Sequence, residues 1–199
     1  MIKFLENNEL NSHSSSFNIT YPRNANIIFG NYPFPDRISN LKLNIKSNIK
    51  TEMKNYTNVK GEMTSWTHFV KDDDFIKFLN FTINKHQVSH PNLFKFFYQR
   101  KTIEDAWGNI YRKGDSLTSH IHYSDSGILF LSEGCDLILP ELNIKITPFP
   151  GDYYFLPPMI YHGFDKILNN EERYSIAFNI KEKPGVGFEI EKNINDRGK

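Results

Sequence analysis

Between Ile103 and Ile180 the chain consists of short apolar segments, which Gly, Pro, Asn and Asp interrupt about every ten residues. Segments of this length fit β-strands, because an ordinary helix needs a longer apolar stripe. The predicted strands are Ile103–Tyr111, Ser126–Leu131, Leu137–Leu139, Asn143–Thr147, Tyr153–Leu156 and Arg173–Ile180. A run of short strands without intervening helices predicts a mainly β protein, built as an antiparallel barrel or jelly roll.

One helix is predicted ahead of these strands. Asp72 to Asp74 are N-cap candidates, and apolar positions then recur every three or four residues at Phe75, Phe78, Leu79, Ile83 and His86. We expect this helix to pack outside the barrel. His86 and His90 lie near its end, where a histidine commonly interacts with the helix dipole, so we interpret both as structural. The aromatic segment 92–98 fits either a short helix or a strand.

The first 60 residues carry no recognisable chemical motif. Leu41 to Ile45 alternates apolar and polar residues, which predicts a half-buried strand. Two prolines interrupt Asn31–Asp36, which predicts an extended connector. At 199 residues and 39% apolar content the chain suits one domain, 1–199. We expect a core at about 100–182, N-terminal strands and a helix at 27–98, and a mobile tail at 183–199.

Charge and cysteine usage restrict the functional classes. The chain carries 24 basic and 23 acidic residues, so its net charge of +1 predicts no nucleic-acid partner. No apolar run approaches the roughly 18 residues of a membrane span, and the polar N-terminus does not match a signal peptide. Cys135 is the single cysteine, which excludes an internal disulfide and fits a reducing compartment. These features predict a cytoplasmic protein without membrane contact.

Three histidines predict a metal site. His120 and His122 are two residues apart, so on a β-strand both side chains point to the same face. His162 follows the break at Pro157–Pro158, where a loop could bring it across to them. Imidazole nitrogens are common ligands of transition metals, so these residues are candidates for one metal ion.

Arg173 follows His162 by eleven residues and begins the last predicted strand. One face of that strand is apolar, with Tyr174, Ile176, Phe178 and Ile180. The other face carries Arg173, Ser175, Ala177 and Asn179, which predicts either a solvent-exposed surface or the lining of a polar pocket.

The chain resembles the iron(II)- and 2-oxoglutarate-dependent oxygenases, most closely a branch known largely from phage and bacterial genomes. The resemblance covers roughly the last 90 residues, through Trp107–Tyr111, Gly114–Asp115, His120–His122, Ser126–Leu131, Pro150–Gly151, Phe155–Pro157, His162 and Glu172–Asn179. It implies a double-stranded β-helix with one or two flanking helices, an iron(II) site at one mouth, and 2-oxoglutarate as co-substrate. Arg173 would bind the far carboxylate, because its guanidinium offers a planar, permanently charged partner.

The same resemblance implies roles for the residues around Arg173. Ser175 would add a hydroxyl donor for 2-oxoglutarate. Tyr111 matches the tyrosine that touches the co-substrate in many of these enzymes, and Asn109 shares its strand face. The activity implied is hydroxylation of a small-molecule or peptidyl substrate with release of succinate and CO2, in the host cytoplasm if the chain is phage-encoded.

The sequence departs from the superfamily at the third metal ligand. The usual site has two histidines and one carboxylate, and the carboxylate normally lies two residues after the first histidine. His122 occupies that position here. Either His122 is the third ligand, together with His120 and His162, or Asp125 supplies a carboxylate.

Two other functions remain open from the sequence. The spacing of Gly114, His120–His122, Gly151, Pro157 and His162 also matches a cupin metal site, which would make the protein a metal-dependent dioxygenase or isomerase with no need of Arg173. In a non-catalytic β-sandwich binding module, the same histidines would serve only as core residues.

Overall fold

The computed structural model describes residues 2–4, 16–21, 23–134 and 136–183, with side chains from residue 26 onward. Cys135 and residues 184–199 lie outside the described part, so the predicted tail is not tested. The last described residue, Lys183, donates its backbone N–H to Arg100 O at 2.7 Å.

Thirteen strands occur in the described part of the chain. They are β1 (Ile2–Phe4), β2 (Ser16–Tyr21), β3 (Arg23–Asn31), β4 (Val59–Lys60), β5 (Glu62–Met63), β6 (Lys101–Tyr111), β7 (Ser116–His120), β8 (Asp125–Phe130), β9 (Leu137–Leu139), β10 (Ile144–Ile146), β11 (Asp152–Leu156), β12 (His162–Phe164) and β13 (Arg173–Glu182). All six predicted strands are confirmed, with ends that differ by no more than two residues.

The strands form two antiparallel sheets. One sheet has the order β2-β3-β11-β8-β13-β6-β5, and the other has the order β1-β10-β9-β12-β7-β4. Apolar residues of both sheets pack together in one cluster, among them Ile128, Tyr154, Leu137 and Ile144. The chain is therefore a jelly roll, that is, a double-stranded β-helix, as predicted. Strands from the N-terminal part extend both sheets of this core.

Four helices flank the strands in the described residues: α1 (Pro35–Ser47), α2 (Asp73–His86), α3 (Pro91–Phe94) and α4 (Phe97–Arg100). Two short 3-10 turns occupy Thr51–Met53 and Pro140–Leu142. The aromatic segment 92–98, which the sequence left open, thus contributes to two short helices. No helix of the described residues is both long and apolar enough to cross a membrane.

The predicted strand at Leu41–Ile45 is wrong, because this segment belongs to α1. Its buried residues are Ile38, Leu41 and Ile45, at spacings of three and four residues, whereas Leu43 is 63% exposed. Leu41 and Ile45 fit both a strand and a helix, and the choice depends on Ile38, which the alternating pattern omitted. Gly108 of β6 lets α1 approach closely, since a Cβ there would collide with the Ile45 side chain.

The predicted connector at Asn31–Asp36 is also wrong in part. Asn31 ends β3, and only residues 32–34 connect it to α1. Pro35 stands in the first turn of α1, where its missing N–H costs nothing, so this proline starts a helix instead of preventing one.

The predicted helix is confirmed as α2. Asp72 caps it by accepting a hydrogen bond from the Phe75 N–H at 2.9 Å. Its apolar stripe packs on the outer face of the seven-stranded sheet, where the Phe75 and Phe178 rings meet edge to face at 5.2 Å. His86 is structural, but for another reason than the dipole: it is buried and bonds the Tyr153 hydroxyl at 2.8 Å. Burial lowers its pKa to about 4, so it is neutral.

β13 separates the helices from the interior of the jelly roll. Tyr174, Ile176, Phe178 and Ile180 are buried under the helices, as the apolar pattern predicted. Ser175 and Ala177 point the other way and line a cavity between the sheets. The second face of this strand is therefore a pocket lining and not a solvent-exposed surface.

Candidate active site

Two paired strands bring His120 and His162 together. β7 and β12 are antiparallel neighbours, and His120 lies directly opposite His162 in their register. The two imidazole ring centres are 4.4 Å apart. The sequence predicted that a loop would deliver His162; instead it is the first residue of a strand, which fixes its position more firmly.

His122 joins this pair from a loop. β7 ends at His120, so the predicted strand does not extend to His122. The loop is held in place where the Met159 N–H donates to the His122 carbonyl at 2.8 Å. The His122 ring stacks on that of His162, with ring centres 5.1 Å apart. The three imidazoles thus converge although only two are on strands.

Backbone carbonyls orient two of the imidazoles. His120 Nδ1 is 2.8 Å from Thr118 O, and His162 Nδ1 is 3.0 Å from Ile160 O. A carbonyl can only accept, so each Nδ1 carries the hydrogen and each Nε2 keeps a free lone pair. Metal-binding histidines commonly have this arrangement, in which a second partner fixes the tautomer.

All three imidazoles are neutral at physiological pH. Burial is the main cause: it lowers the pKa of His120, that of His122 to about 4 and that of His162 to about 3. A metal binds neutral imidazole, so these groups need lose no proton to act as ligands.

The spacing of the nitrogens fits one metal ion. His120 Nε2 and His122 Nε2 are 3.2 Å apart, and the ligand atoms of the three histidines all lie within 4.8 Å of one another. Bonds of about 2.1 Å at a right angle would place two nitrogens about 3.0 Å apart. Three neutral nitrogens at this separation can share a transition metal.

Asp125 is not part of this group. It begins β8, and its carboxylate accepts a hydrogen bond from Lys101 Nζ at 3.0 Å. Among the described residues, the cluster of potential metal ligands contains only the three histidines. The arrangement thus favours His122 over Asp125 as the third ligand.

Asn179 is an unpredicted neighbour of His122. Its amide Nδ2 donates to Asp105 at 3.3 Å, which directs Oδ1 away from that carboxylate. The Asn179 amide raises the pKa of His122 slightly against the stronger lowering by burial and His120. Oδ1 is buried and has no hydrogen-bond partner in the described part of the chain. Among the described residues, His122 has no backbone acceptor like those of His120 and His162, and the Asn179 amide is a side chain that interacts with its imidazole.

The histidines open onto a cavity of about 150 Å³ between the two sheets. Its other walls are mostly apolar and aromatic, with Trp66, Trp107, Leu117, Ile121, Ile128, Phe130 and Phe164. None of the described residues that line it carries a charged side chain. Apolar walls lower the local polarity, which strengthens any electrostatic interaction made inside the cavity.

Arg173 lies at the other end of the same face of β13. Its side chain is 8% exposed, and Nη1 donates to the 73% exposed carboxylate of Glu171 at 2.8 Å. Nε is buried and has no partner among the described residues. Gly134 makes room for the guanidinium, since a Cβ there would lie 2.6 Å from Nη2.

Tyr111, Asn109 and Ser175 lie between Arg173 and the histidines. Arg173 is opposite Tyr111 in the register, and Ser175 is opposite Asn109. Asn109 Nδ2 donates to Ser175 Oγ at 3.4 Å, while Asn109 Oδ1 is buried without a partner in the described residues. A second cavity of about 10 Å³ touches Arg173 and shares Tyr111, Phe130, Phe164 and Ser175 with the first. The predicted residues therefore lie along one path from the three histidines to the arginine.

Solved structures with this arrangement of strands include several oxygenases. A viral collagen prolyl hydroxylase from Paramecium Bursaria Chlorella virus-1, in complex with 2-oxoglutarate, matches 77% of this chain and 94% of its own at 14% identity and a TM-score of 0.57. An oxidoreductase of the 2OG-Fe(II) oxygenase family from Burkholderia pseudomallei matches 78% and 85% at 10% identity and a TM-score of 0.52. This chain shares their fold.

HygX from Streptomyces hygroscopicus, with nickel and 2-oxoglutarate bound, matches 77% of this chain and 82% of its own at 9% identity and a TM-score of 0.55. No protein-family model matches the sequence. No curated protein sequence matches it either. At these identities the similarity to the solved structures concerns the fold, and the site must be judged from its own residues.

Sequence reasoning missed several residues of the site. Trp107 has the same strand face as Asn109 and Tyr111, so the alternating pattern could have indicated it. Trp66 comes from a loop before α2, and its place in the cavity wall has no sequence signal. Glu171, which is bonded to the Arg173 guanidinium, also has no sequence signal.

Proposed function

We propose that the protein is a non-haem iron(II)- and 2-oxoglutarate-dependent oxygenase of the hydroxylase type, formed as a single domain and acting in the cytoplasm on a small-molecule or peptidyl substrate. One observation carries this proposal: three neutral imidazoles converge at one end of a jelly-roll cavity, and a buried arginine lies at the other end of the same strand face. A metal site alone would suit many functions, whereas the buried arginine requires an anionic partner.

His120, His122 and His162 would hold the metal. With a carboxylate replaced by His122, the ion would keep its full positive charge, and its attraction for an anionic co-substrate would increase. Imidazole ligands suit iron, zinc, copper and nickel, so the selection of iron depends on geometry and metal supply. Asn179 would accept a hydrogen bond from the second nitrogen of His122 and so act as its positioning residue.

Arg173 would bind the far carboxylate of 2-oxoglutarate. The exposed Glu171 carboxylate, which contacts the guanidinium at 2.8 Å, stands in for this anion and can leave into water at small cost. Ser175 and Asn109 supply a hydroxyl and an amide along the path, and Tyr111 lies opposite Arg173. These groups would orient the co-substrate between arginine and metal.

The walls of the cavity would protect the reaction. Bound iron(II) would enable the reduction of dioxygen. This reduction would be coupled to the conversion of 2-oxoglutarate to succinate and CO2 and to the transfer of one oxygen atom to the substrate. The residues of this chain position the reactants: Arg173 fixes one end of the co-substrate, and the apolar walls at Trp107, Leu117 and Phe164 exclude water from the substrate.

Turnover of 2-oxoglutarate tests the proposal against its rivals. Purified protein with iron(II), ascorbate and dioxygen should convert 2-oxoglutarate to succinate slowly even without substrate, and Arg173→Leu should abolish this. A cupin-type dioxygenase or isomerase would bind metal but consume no 2-oxoglutarate. A non-catalytic β-sandwich module would do neither, and either result would refute the proposed function.

A further inference from the structure

Three polar atoms in the wall of the histidine cavity have no hydrogen-bond partner among the described residues. Asn109 Oδ1 lies on the path to Arg173, and the other two are Trp107 Nε1 and Ser126 Oγ. Trp107 is 5% exposed and Ser126 is 4% exposed, and both line the cavity together with the three histidines. Buried polar groups in folded proteins almost always have a partner, so two orphans in one cavity indicate a ligand.

The register of three strands places these two atoms on one inner face. Ala177 of β13 lies opposite Trp107 of β6 on one side and Ile128 of β8 on the other. In the next pair along the strands, Ser126 lies opposite Asn179. Ala177, whose side chain is small, lies between Trp107 and β8 on this face. Ser175 and Asn109, which lead to Arg173, lie on the other side of Ala177.

The two orphans define the chemistry of their ligand. An indole N–H can only donate, and a serine hydroxyl can donate as well. A carbonyl oxygen has two lone pairs and can accept both hydrogen bonds. With the charge of the metal ion balanced by the 2-oxoglutarate dianion, a further carboxylate or an ammonium would have to leave water for a cavity that offers no charged side chain among its described lining, which is costly. The ligand group is therefore neutral.

Exposed apolar side chains next to residues of the cavity wall suit an apolar ligand body. Tyr123, which follows His122, is 86% exposed, and Tyr56, Met159 and Tyr161 are also exposed. The Tyr56 ring contacts Trp66 edge to face at 6.2 Å, and Trp66 contacts Trp107 in the same way at 4.5 Å. An aromatic surface thus runs from solvent to the indole that lacks a partner. Apolar surfaces of this kind commonly bind apolar ligands.

We propose that Trp107 Nε1 and Ser126 Oγ bind the neutral carbonyl oxygen of the substrate, and that the substrate is an uncharged carbonyl compound with an apolar body. This inference rests on the proposed function, because it assigns the substrate side of the same cavity. It excludes charged metabolites and charged amino-acid side chains as groups that enter the cavity.

Nuclear magnetic resonance can observe the indole N–H directly. The chain has two tryptophans, so its indole region contains two signals, and Trp66→Phe identifies that of Trp107. The protein would be loaded with zinc(II), a diamagnetic ion that imidazoles also bind, and with saturating 2-oxoglutarate. The probes are isobutyramide, isobutyrate and isobutylammonium, which share a branched carbon skeleton and differ in charge.

Isobutyramide should shift the Trp107 indole signal in a saturable manner, whereas the two charged probes should bind at least about tenfold more weakly. Trp107→Phe removes the donor and keeps an aromatic ring, and Ser126→Ala removes the hydroxyl. Each change should weaken isobutyramide binding about threefold to tenfold, the usual effect of one neutral hydrogen bond. In Trp66→Phe, which removes no orphan donor, the Trp107 signal should still shift.

Three results would overturn this inference. They are an indole signal that isobutyramide does not move, equal binding of the charged probes, and a large shift of the Trp107 signal by 2-oxoglutarate alone, which would assign the donor to the co-substrate. The proposed function can fail independently of this inference. If the protein binds isobutyramide but takes up no metal, the carbonyl-binding site is supported and the oxygenase function is refuted. If the protein binds metal and 2-oxoglutarate but isobutyramide does not shift the Trp107 indole signal, the oxygenase function is supported and the carbonyl-binding site is refuted.

Discussion

His162 lies directly opposite His120 in two paired antiparallel strands, and their imidazole centres are 4.4 Å apart. Because the pairing of β7 and β12 fixes both backbones, these two imidazoles are in position to bind a metal ion without rearrangement. His162→Ala should therefore lower metal affinity by at least about tenfold, as expected for damage to a metal site. Calorimetric titration with manganese(II) measures this, and His90→Ala, outside the site, is the matched control. Unchanged affinity in His162→Ala would refute a metal centre here.

The hypotheses that His122 or Asp125 is the third metal ligand predict opposite effects of mutation. Because His122 joins the cluster and Asp125 is bonded to Lys101, His122→Ala should weaken iron(II) binding about tenfold or more, and Asp125→Ala should leave it within about twofold. His122→Asp restores the usual two-histidine, one-carboxylate set and should recover binding. Titrating the three variants side by side decides the matter. Damage by Asp125→Ala, with His122→Ala nearly silent, would assign the carboxylate instead.

Arg173 should control 2-oxoglutarate and not the metal. Removing a buried charged partner costs about 2–5 kcal/mol, so Arg173→Leu should weaken 2-oxoglutarate binding at least about 30-fold while manganese(II) binding persists. Glu171→Gln removes a competing carboxylate worth about 0.2–1 kcal/mol and should tighten binding up to about fivefold.

The control for Arg173 is Arg112→Leu. Arg112 pairs with Glu62 and Glu172 and lines neither cavity, so its loss should leave 2-oxoglutarate affinity within about twofold. Circular dichroism checks that each variant is folded. An Arg173→Leu protein that is folded and binds 2-oxoglutarate normally would remove Arg173 from the proposed co-substrate site.

The sequence predicted those features of the structure that depend on residues close together in the chain. The strands from Ile103 to Ile180 were found because alternation and turn residues are local patterns. The contacts of Asn179 with Asp105 and of Arg173 with Glu171 involve side-chain positions that no sequence period specifies. The histidines and Arg173 were found because their residue types at this spacing are chemically distinctive, although His122 proved to lie on a loop.

Stability measurements can test whether residues 41–45 form a helix, as in the structure, or the strand that the sequence predicted. If Leu41 is in a helix with Ile38 and Ile45 buried beside it, Leu41→Ala should lower the free energy of unfolding by about 2–5 kcal/mol. Leu43→Ala should change it by less than about 0.5 kcal/mol, because that side chain is 63% exposed. Urea denaturation compares the two. Equal losses would support the strand that the alternating pattern predicted.

His86 should make stability depend on pH. Burial, with Lys85 nearby, lowers its pKa to about 4 from 6.5, so the unfolded chain binds this proton more readily than the folded chain. Stability should fall as the pH drops from about 6.5 to about 4, by about 3 kcal/mol for this group, and be unaffected by it above that range. The metal-free His86→Gln variant should lack this contribution to the dependence of the free energy of unfolding on pH. An identical slope in both proteins would contradict a buried neutral histidine.

The dependence of 2-oxoglutarate binding on metal tests the central claim most directly. In anaerobic calorimetry, wild-type protein should bind one manganese(II) or iron(II) per chain, and only then one 2-oxoglutarate, because the co-substrate needs both the ion at His120, His122 and His162 and the guanidinium of Arg173. Absence of stoichiometric metal binding, or 2-oxoglutarate binding that is equally tight without metal, would contradict the account.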